Sequence, residues 1–247
     1  MKGWSEALND WKSSLALVKR DLGSEGLYLI WNVIFMVYTG ACISLWLFTN
    51  DPEAHFIQNS VIDFLMLIFT PMICFQYSRR SFRYLKDDSY TQMLLYYRSL
   101  PIPLKVIMQS RALKSLLSLA MNGTLFFATM YLASYRLRGD LNIWEFVAFA
   151  LTWSGYGLLA TGPYIYYEFL KSGRTYLKLS FLYMGLLLVA AVLISLTGFN
   201  IFRAVLEMSQ RFGLLSPLMW GSLLVGAAGL WFTCKVTVRK LGARDLV

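Results

Sequence analysis

Apolar positions along this chain gather into six runs: Tyr28–Phe48, Val61–Tyr77, Leu116–Tyr135, Trp144–Tyr167, Leu179–Phe199 and Leu214–Cys234. About 20 apolar residues in a helix cross a bilayer. Backbone groups in lipid must pair within the protein, so runs of this length predict helices rather than barrel strands. The second run is the shortest and carries Asp63 and Pro71. Asp63 reads as a residue at the start of its own helix, where the helix dipole favours an acid, with a relay role as the other reading.

The polar stretches between the runs are patterned too. Trp4, Leu8, Trp11, Leu15, Val18 and Leu22 recur at spacings of four and three, one face of a helix, with Glu6, Asp10, Lys12, Lys19 and Arg20 elsewhere around it. Residues 1–27 therefore predict an amphipathic interfacial helix that anchors the chain in the headgroup layer, alone or while also helping to contact a partner. Ile201, Val205, Met208 and Phe212 make a similar stripe in Asn200–Gly213, for a helix that dips into a leaflet or lies on the surface. Small residues at packing intervals, Gly157 with Thr161 and Ser222 with Gly226 and Gly229, allow helices to approach closely. Tyr164, Tyr166 and Tyr167 read as an interfacial aromatic belt, or as lining for an amphiphilic substrate.

Composition makes lipid the solvent for much of this surface. Hydrophobic residues are 57% of the chain, charged residues 15%, and mean hydropathy is +0.51, against about 25% charged in soluble domains. The fold class expected is an all-α polytopic membrane protein: six transmembrane helices in residues 28–247, preceded by the interfacial helix. The net charge of +9 is unevenly placed. Segments 1–27, 77–114, 168–178 and 235–247 hold 4, 8, 3 and 4 Lys and Arg, 19 in all, and the alternate loops hold Arg136, Arg138, Arg203 and Arg211. A bias of 19 to 4 is the positive-inside pattern; it predicts both termini in the cytoplasm and argues against nucleic acid as the partner. The first run, long enough to span, reads as a helix rather than a cleaved signal. The setting expected is a cell membrane, the bacterial cytoplasmic membrane.

Catalytic signatures are missing from this reading. The sequence has no G-x-x-x-x-G-K-[ST], HExxH or G-x-S-x-G, and its one histidine, His55, falls in a polar loop. Cys42, Cys74 and Cys234 lie in or beside apolar runs, without disulfide or metal spacing. No catalytic residue, metal ligand or cofactor is expected in the chain, so energy for any work comes from another subunit.

The stretch from Tyr77 to Lys114 carries eight of the 23 basic residues and divides at Arg98-Ser99-Leu100-Pro101-Ile102-Pro103. Prolines stop the preceding helix; Ser99 as a cap and Pro101 in a first turn would start the next. Asp87-Asp88, Leu94-Leu95, Arg98-Ser99-Leu100-Pro101-Ile102, Ile107 and Ser110-Arg111 resemble the corresponding segment of ABC-2 type permeases, the transmembrane subunits of ATP-binding cassette exporters. The resemblance extends to the layout and to the last span, where Ser216-Pro217-Leu218 opens an apolar helix ending in Lys235, Arg239 and Lys240. It implies a coupling helix seated on an ABC ATPase subunit, with Leu94 and Leu95 as apolar anchors and Asp87, Asp88 and Arg98 as a charged rim. It also implies a second permease, as homodimer or heterodimer, and ATP and Mg bound by the partner ATPase. The other reading is a non-transporting scaffold or sensor whose basic hairpin binds a regulator.

Overall fold

A computed structural model describes residues 2–24, 26–47, 55–78, 81, 86, 88–99 and 102–242. Among them the regular elements are helical: α1 (Lys2–Ser24), α2 (Gly26–Leu47), α3 (His55–Ile73), α4 (Ser89–Ser99), α5 (Leu104–Ala133), α6 (Tyr135–Asp140), α7 (Ile143–Leu170), α8 (Gly173–Leu196), α9 (Ile201–Phe212) and α10 (Pro217–Gly242), with a 3₁₀ turn at Gly213–Leu215. Five are long and apolar enough to cross a membrane: Tyr28–Leu47 in α2, then α5, α7, α8 and α10. The second apolar run forms a shorter helix, Ile57–Ile73 within α3.

The boundaries differ from the sequence reading in one useful way. The third run and the basic helix before it are one continuous α5 of 30 residues, about 45 Å long at 1.5 Å per residue. That exceeds the roughly 30 Å of a hydrocarbon core, so its first turns, bearing Lys105, Arg111 and Lys114, have length to spare at one end. Ser99 is the last residue of α4, its hydroxyl donating to the Tyr96 carbonyl at 2.8 Å. α5 instead begins after Pro103, whose carbonyl accepts from Val106 at 2.9 Å. A proline with its φ preset starts the helix, and no side-chain cap is involved.

α3 runs back along α2. Gln58 near its start donates to the Trp46 carbonyl at 3.3 Å, and the amide of Tyr77 beyond its end donates to Asn32 Oδ1 at 3.0 Å. Pro71 sits inside α3 and cannot donate to the carbonyl four residues back. That carbonyl, on Leu67, accepts instead from the Tyr156 hydroxyl at 2.9 Å. The frayed end is closed in the same manner: Asn122 Nδ2 donates to Ile73 at 3.1 Å and Phe75 at 2.8 Å, and Thr161 to Pro71 at 3.4 Å. Side chains of α2, α5 and α7 thus take up the backbone groups that the proline and the helix end release.

Asp63 starts no helix of its own. It lies inside α3, fully buried, and accepts from the amides of Ile201 and Phe202, both at 2.8 Å. It is a cap for α9, supplied by another helix, and it meets the positive end of that dipole. Asn200 adds its own side-chain bond to Arg203 N at 2.6 Å, and Gly198 and Gly213 turn the chain at φ +77° and +52° on either side. α9 buries Phe202, Val205 and Ser209, so the stripe of Ile201, Val205, Met208 and Phe212 seats a helix on the bundle, with Phe212 exposed.

The most extensive helix pair is α7 with α10. Gly226 packs on the carbonyl of Gly155, while Gly155 packs on the backbone of Ser222 and Leu223. On α7's other side Gly157 lies against Thr70, where an added Cβ would be 2.9 Å from its carbonyl. α2 crosses α5 closely at Gly40, and Ser44 donates to Met130 O at 3.1 Å. One apolar core joins Met36, Met66, Phe126, Met130, Phe149 and Trp153; a second, toward the end with the basic segments, joins Cys74, Leu94, Tyr97, Ile107, Phe169 and Leu241.

These contacts set two expectations for thermal unfolding in detergent. Gly226→Ala forces a methyl into backbone and is expected to destabilise by about 1–3 kcal/mol, whereas Gly221→Ala, with nothing within 4 Å of the new methyl, is neutral or mildly stabilising. Tyr156→Phe, which removes only the hydroxyl over Leu67, is expected to cost about 1–3 kcal/mol through an orphaned carbonyl; an unchanged melting temperature would show that carbonyl to be satisfied otherwise.

Candidate functional site

Polar chemistry concentrates at the basic end of the bundle, where α1, α4 and the first turns of α5 meet the ends of α3, α7 and α8. α1 lies along α5. Ser14 is fully buried; its hydroxyl donates to Asp10 O at 2.8 Å and lies 3.3 Å from Val106 O and Gln109 Oε1, while Asp10 pairs with Lys105 at 3.2 Å and Asp21 with Lys114 at 4.0 Å. The predicted anchoring stripe therefore divides. Val18 is buried against the protein and Leu22 half-buried, while Trp11 and Leu15 stay exposed, at 48% and 46%. Among the described stripe residues, Trp11 and Leu15 are the ones open to a headgroup layer. The side chains of Trp4 and Leu8 lie outside the described residues.

α4 is held at both faces of its first turn. Asp88 adopts φ +42°, a left-handed conformation that aspartate tolerates better than most residues. From there its carbonyl accepts from Gln92 N at 3.1 Å, and its Oδ1 accepts from Gly173 N, the first residue of α8, at 2.7 Å. The acid predicted for a charged rim is thus half-buried and ties α4 to the N-terminus of α8. Met93, Leu94 and Tyr97 turn inward; Leu94 is 1% exposed, in the core with Ile107 and Phe169. A leucine so placed packs within this chain. Leu95 and Tyr96 face outward at 47% and 51%. Ser99 is exposed at the end of the helix. Asp87, Leu100 and Pro101 lie outside the described residues, as does the side chain of Arg98.

Inside this end is a cavity of about 330 Å³. Arg111 dominates its polar wall: Nε and Nη2 reach Glu168 Oε2 at 3.0 and 2.8 Å, Nη1 reaches Ser115 at 2.8 Å, and the guanidinium sits 5.6 Å from the Phe75 ring centre. Both partners are largely buried, at 14% and 11% side-chain exposure. Charges in such a position persist because they are paired. Lys114 and Asp21, Gln76, Ser110 and Ser180 extend the polar lining; Met72, Phe75, Tyr164, Tyr176 and Met184 supply its apolar part. Sequence reasoning noticed Arg111 only as part of a motif and missed Glu168, its partner 57 residues on. An acid at the end of an apolar run facing a basic helix was the available signal.

No family model, curated protein or solved structure matches this chain.

A second cavity, about 550 Å³, opens at the opposite end between α3, α6 and α9. Its ion pairs, Arg136 with Asp140 and Arg203 with Glu207, are exposed one-turn pairs of small energetic weight. Among the described residues no cluster of three or more His, Cys, Asp or Glu is placed to hold a metal, and the three cysteines are free thiols.

The Arg111–Glu168 pair predicts a strongly non-additive mutant cycle. Arg111→Met or Glu168→Leu alone leaves a buried charge and is expected to cost about 3 kcal/mol, while the double replacement costs less than either single change. Melting temperatures of the four proteins measure this; additive losses would mean that the two side chains stabilise the fold independently.

Proposed function

We propose that this chain is the transmembrane permease subunit of an ATP-binding cassette exporter of the ABC-2 type. In this reading six helices, α3 included, traverse the cell membrane, with both termini and the basic end in the cytoplasm. The chain supplies half of a translocation pathway; a second permease supplies the other half, and separate ATPase subunits bind ATP and Mg and drive export of a hydrophobic or amphipathic substrate. The antiparallel course of α3 along α2 supports counting it as a span, because Tyr77 beyond its end is bonded near the start of α2.

One observation carries the reading: α4 is a short helix fixed to the bundle on one face and presenting Leu95 and Tyr96 on the other. An element that passes force from an ATPase must be stiff at its attachment and apolar where it is pushed. α4 has both attributes. Asp88 fastens it to α8, and Leu94 with Tyr97 embeds it between α5 and α7 in the core at that end. A load on Leu95 and Tyr96 would pass into those helices without a loose segment between.

The test is a comparison of outward and inward changes. Leu95→Asp with Tyr96→Asp is expected to leave insertion and melting temperature near wild type while abolishing recovery of an ATPase with the solubilised chain and uncoupling ATP hydrolysis from cargo movement. Leu94→Asp is expected to damage the fold itself, since it buries an unpaired acid. Failure of the wild-type chain to recover any ATPase from its native membrane would refute the exporter reading and favour a scaffold or sensor.

A further inference from the structure

The cavity at the basic end has a lining that selects by charge. Among the described lining residues, Arg111 and Lys114 face Glu168 and Asp21, two cations and two anions within the same wall. Their formal charges cancel. An anionic guest would have to draw Arg111 from Glu168, and a cationic guest would have to draw Glu168 from Arg111; either leaves a largely buried charge without its counter-ion. A guest with no net charge adds no unbalanced charge to that wall.

The same lining is short of acceptors. Gln76 Nε2 and Ser180 Oγ are shielded from solvent and have no hydrogen-bond partner. An amide NH₂ and a hydroxyl both donate, and buried donors without acceptors are rare because they are costly. Around them Met72, Phe75 and Met184 provide apolar surface. The volume, about 330 Å³, is at the small end for ligand sites, which run from about 300 Å³ upward. It suits a headgroup with a short length of chain. Ser180 and Met184 come from α8, whose other face exposes Phe181, Leu182 and Leu186, so this helix stands between the cavity and an apolar exterior.

We propose that the cavity binds one net-neutral, oxygen-bearing amphiphile. Its acceptors face Gln76 and Ser180, and its hydrocarbon lies against Met72, Phe75 and Met184. The site lies within one chain and holds whether or not the chain is part of a pump. Two lipid classes share this chemistry: zwitterionic phospholipids and uncharged diacylglycerols.

Full-length protein, with any subunits that accompany it, is reconstituted in nanodiscs containing equal parts phosphatidylethanolamine, diacylglycerol and phosphatidylglycerol, then extracted for native mass spectrometry. One lipid per chain is expected to be retained, enriched in phosphatidylethanolamine if the headgroup is zwitterionic or in diacylglycerol if it is uncharged. Gln76→Leu removes a donor and Ser180→Phe fills space; each is expected to lower retention about tenfold, equivalent to about 1.4 kcal/mol. Leu186→Phe on the exposed face should retain lipid as wild type does. If Ser180→Phe does not fold, Gln76→Leu carries the comparison. Preference for phosphatidylglycerol, absence of a retained lipid in the wild type, or undiminished retention in the folded variants would overturn the proposal.

Discussion

A buried backbone group without a partner is the constraint on which this bundle turns. α3 is short, broken by Pro71 and ended at Ile73, so by itself it would leave several backbone groups unpaired. Tyr156, Thr161, Asn122 and Asn32 meet that need from three different helices. Each is a polar side chain at a position where composition alone would ask for an apolar one. Because they all converge on the end of α3, they also fix where α2, α5 and α7 stand relative to each other. The weakest helix thereby becomes the reference point for its neighbours.

The two ends of the molecule use acids in the same structural way. Asp63 accepts from the first amides of α9, and Asp88 from the first amide of α8. In each case a carboxylate belonging to another segment receives a helix N-terminus, satisfying orphan amides and the positive end of the dipole together. Glu168 differs, since a guanidinium rather than a helix end holds it. These attachments draw chain segments far apart in sequence into one framework.

Much of the helical layout was legible because it follows from local rules. Long apolar runs, the period of the α9 stripe and the small residues at Gly157, Ser222, Gly226 and Gly229 all depend on spacing that one strand of text displays. What was not legible depended on partners. Asp63 looked like the start of its own helix because its true partner lies 138 residues away. Leu94 and Leu95 look equivalent in sequence, yet a helix places neighbours about 100° apart, so one enters the core and the other faces out. Ser99 resembled an N-cap because a proline followed, but Pro103 with its preset φ was the stronger start. The division of the α1 stripe likewise required knowing that α5 lies beside it.

The glycine contact between α7 and α10 has a mechanical consequence. With Gly155 and Gly226 meeting backbone to backbone, and Gly162 and Gly229 each receiving a side chain of the facing helix, Thr233 and Leu159, the two helices have little room to slide past each other. Displacement within the bundle must then occur at its other seams, where larger side chains and the cavity leave room.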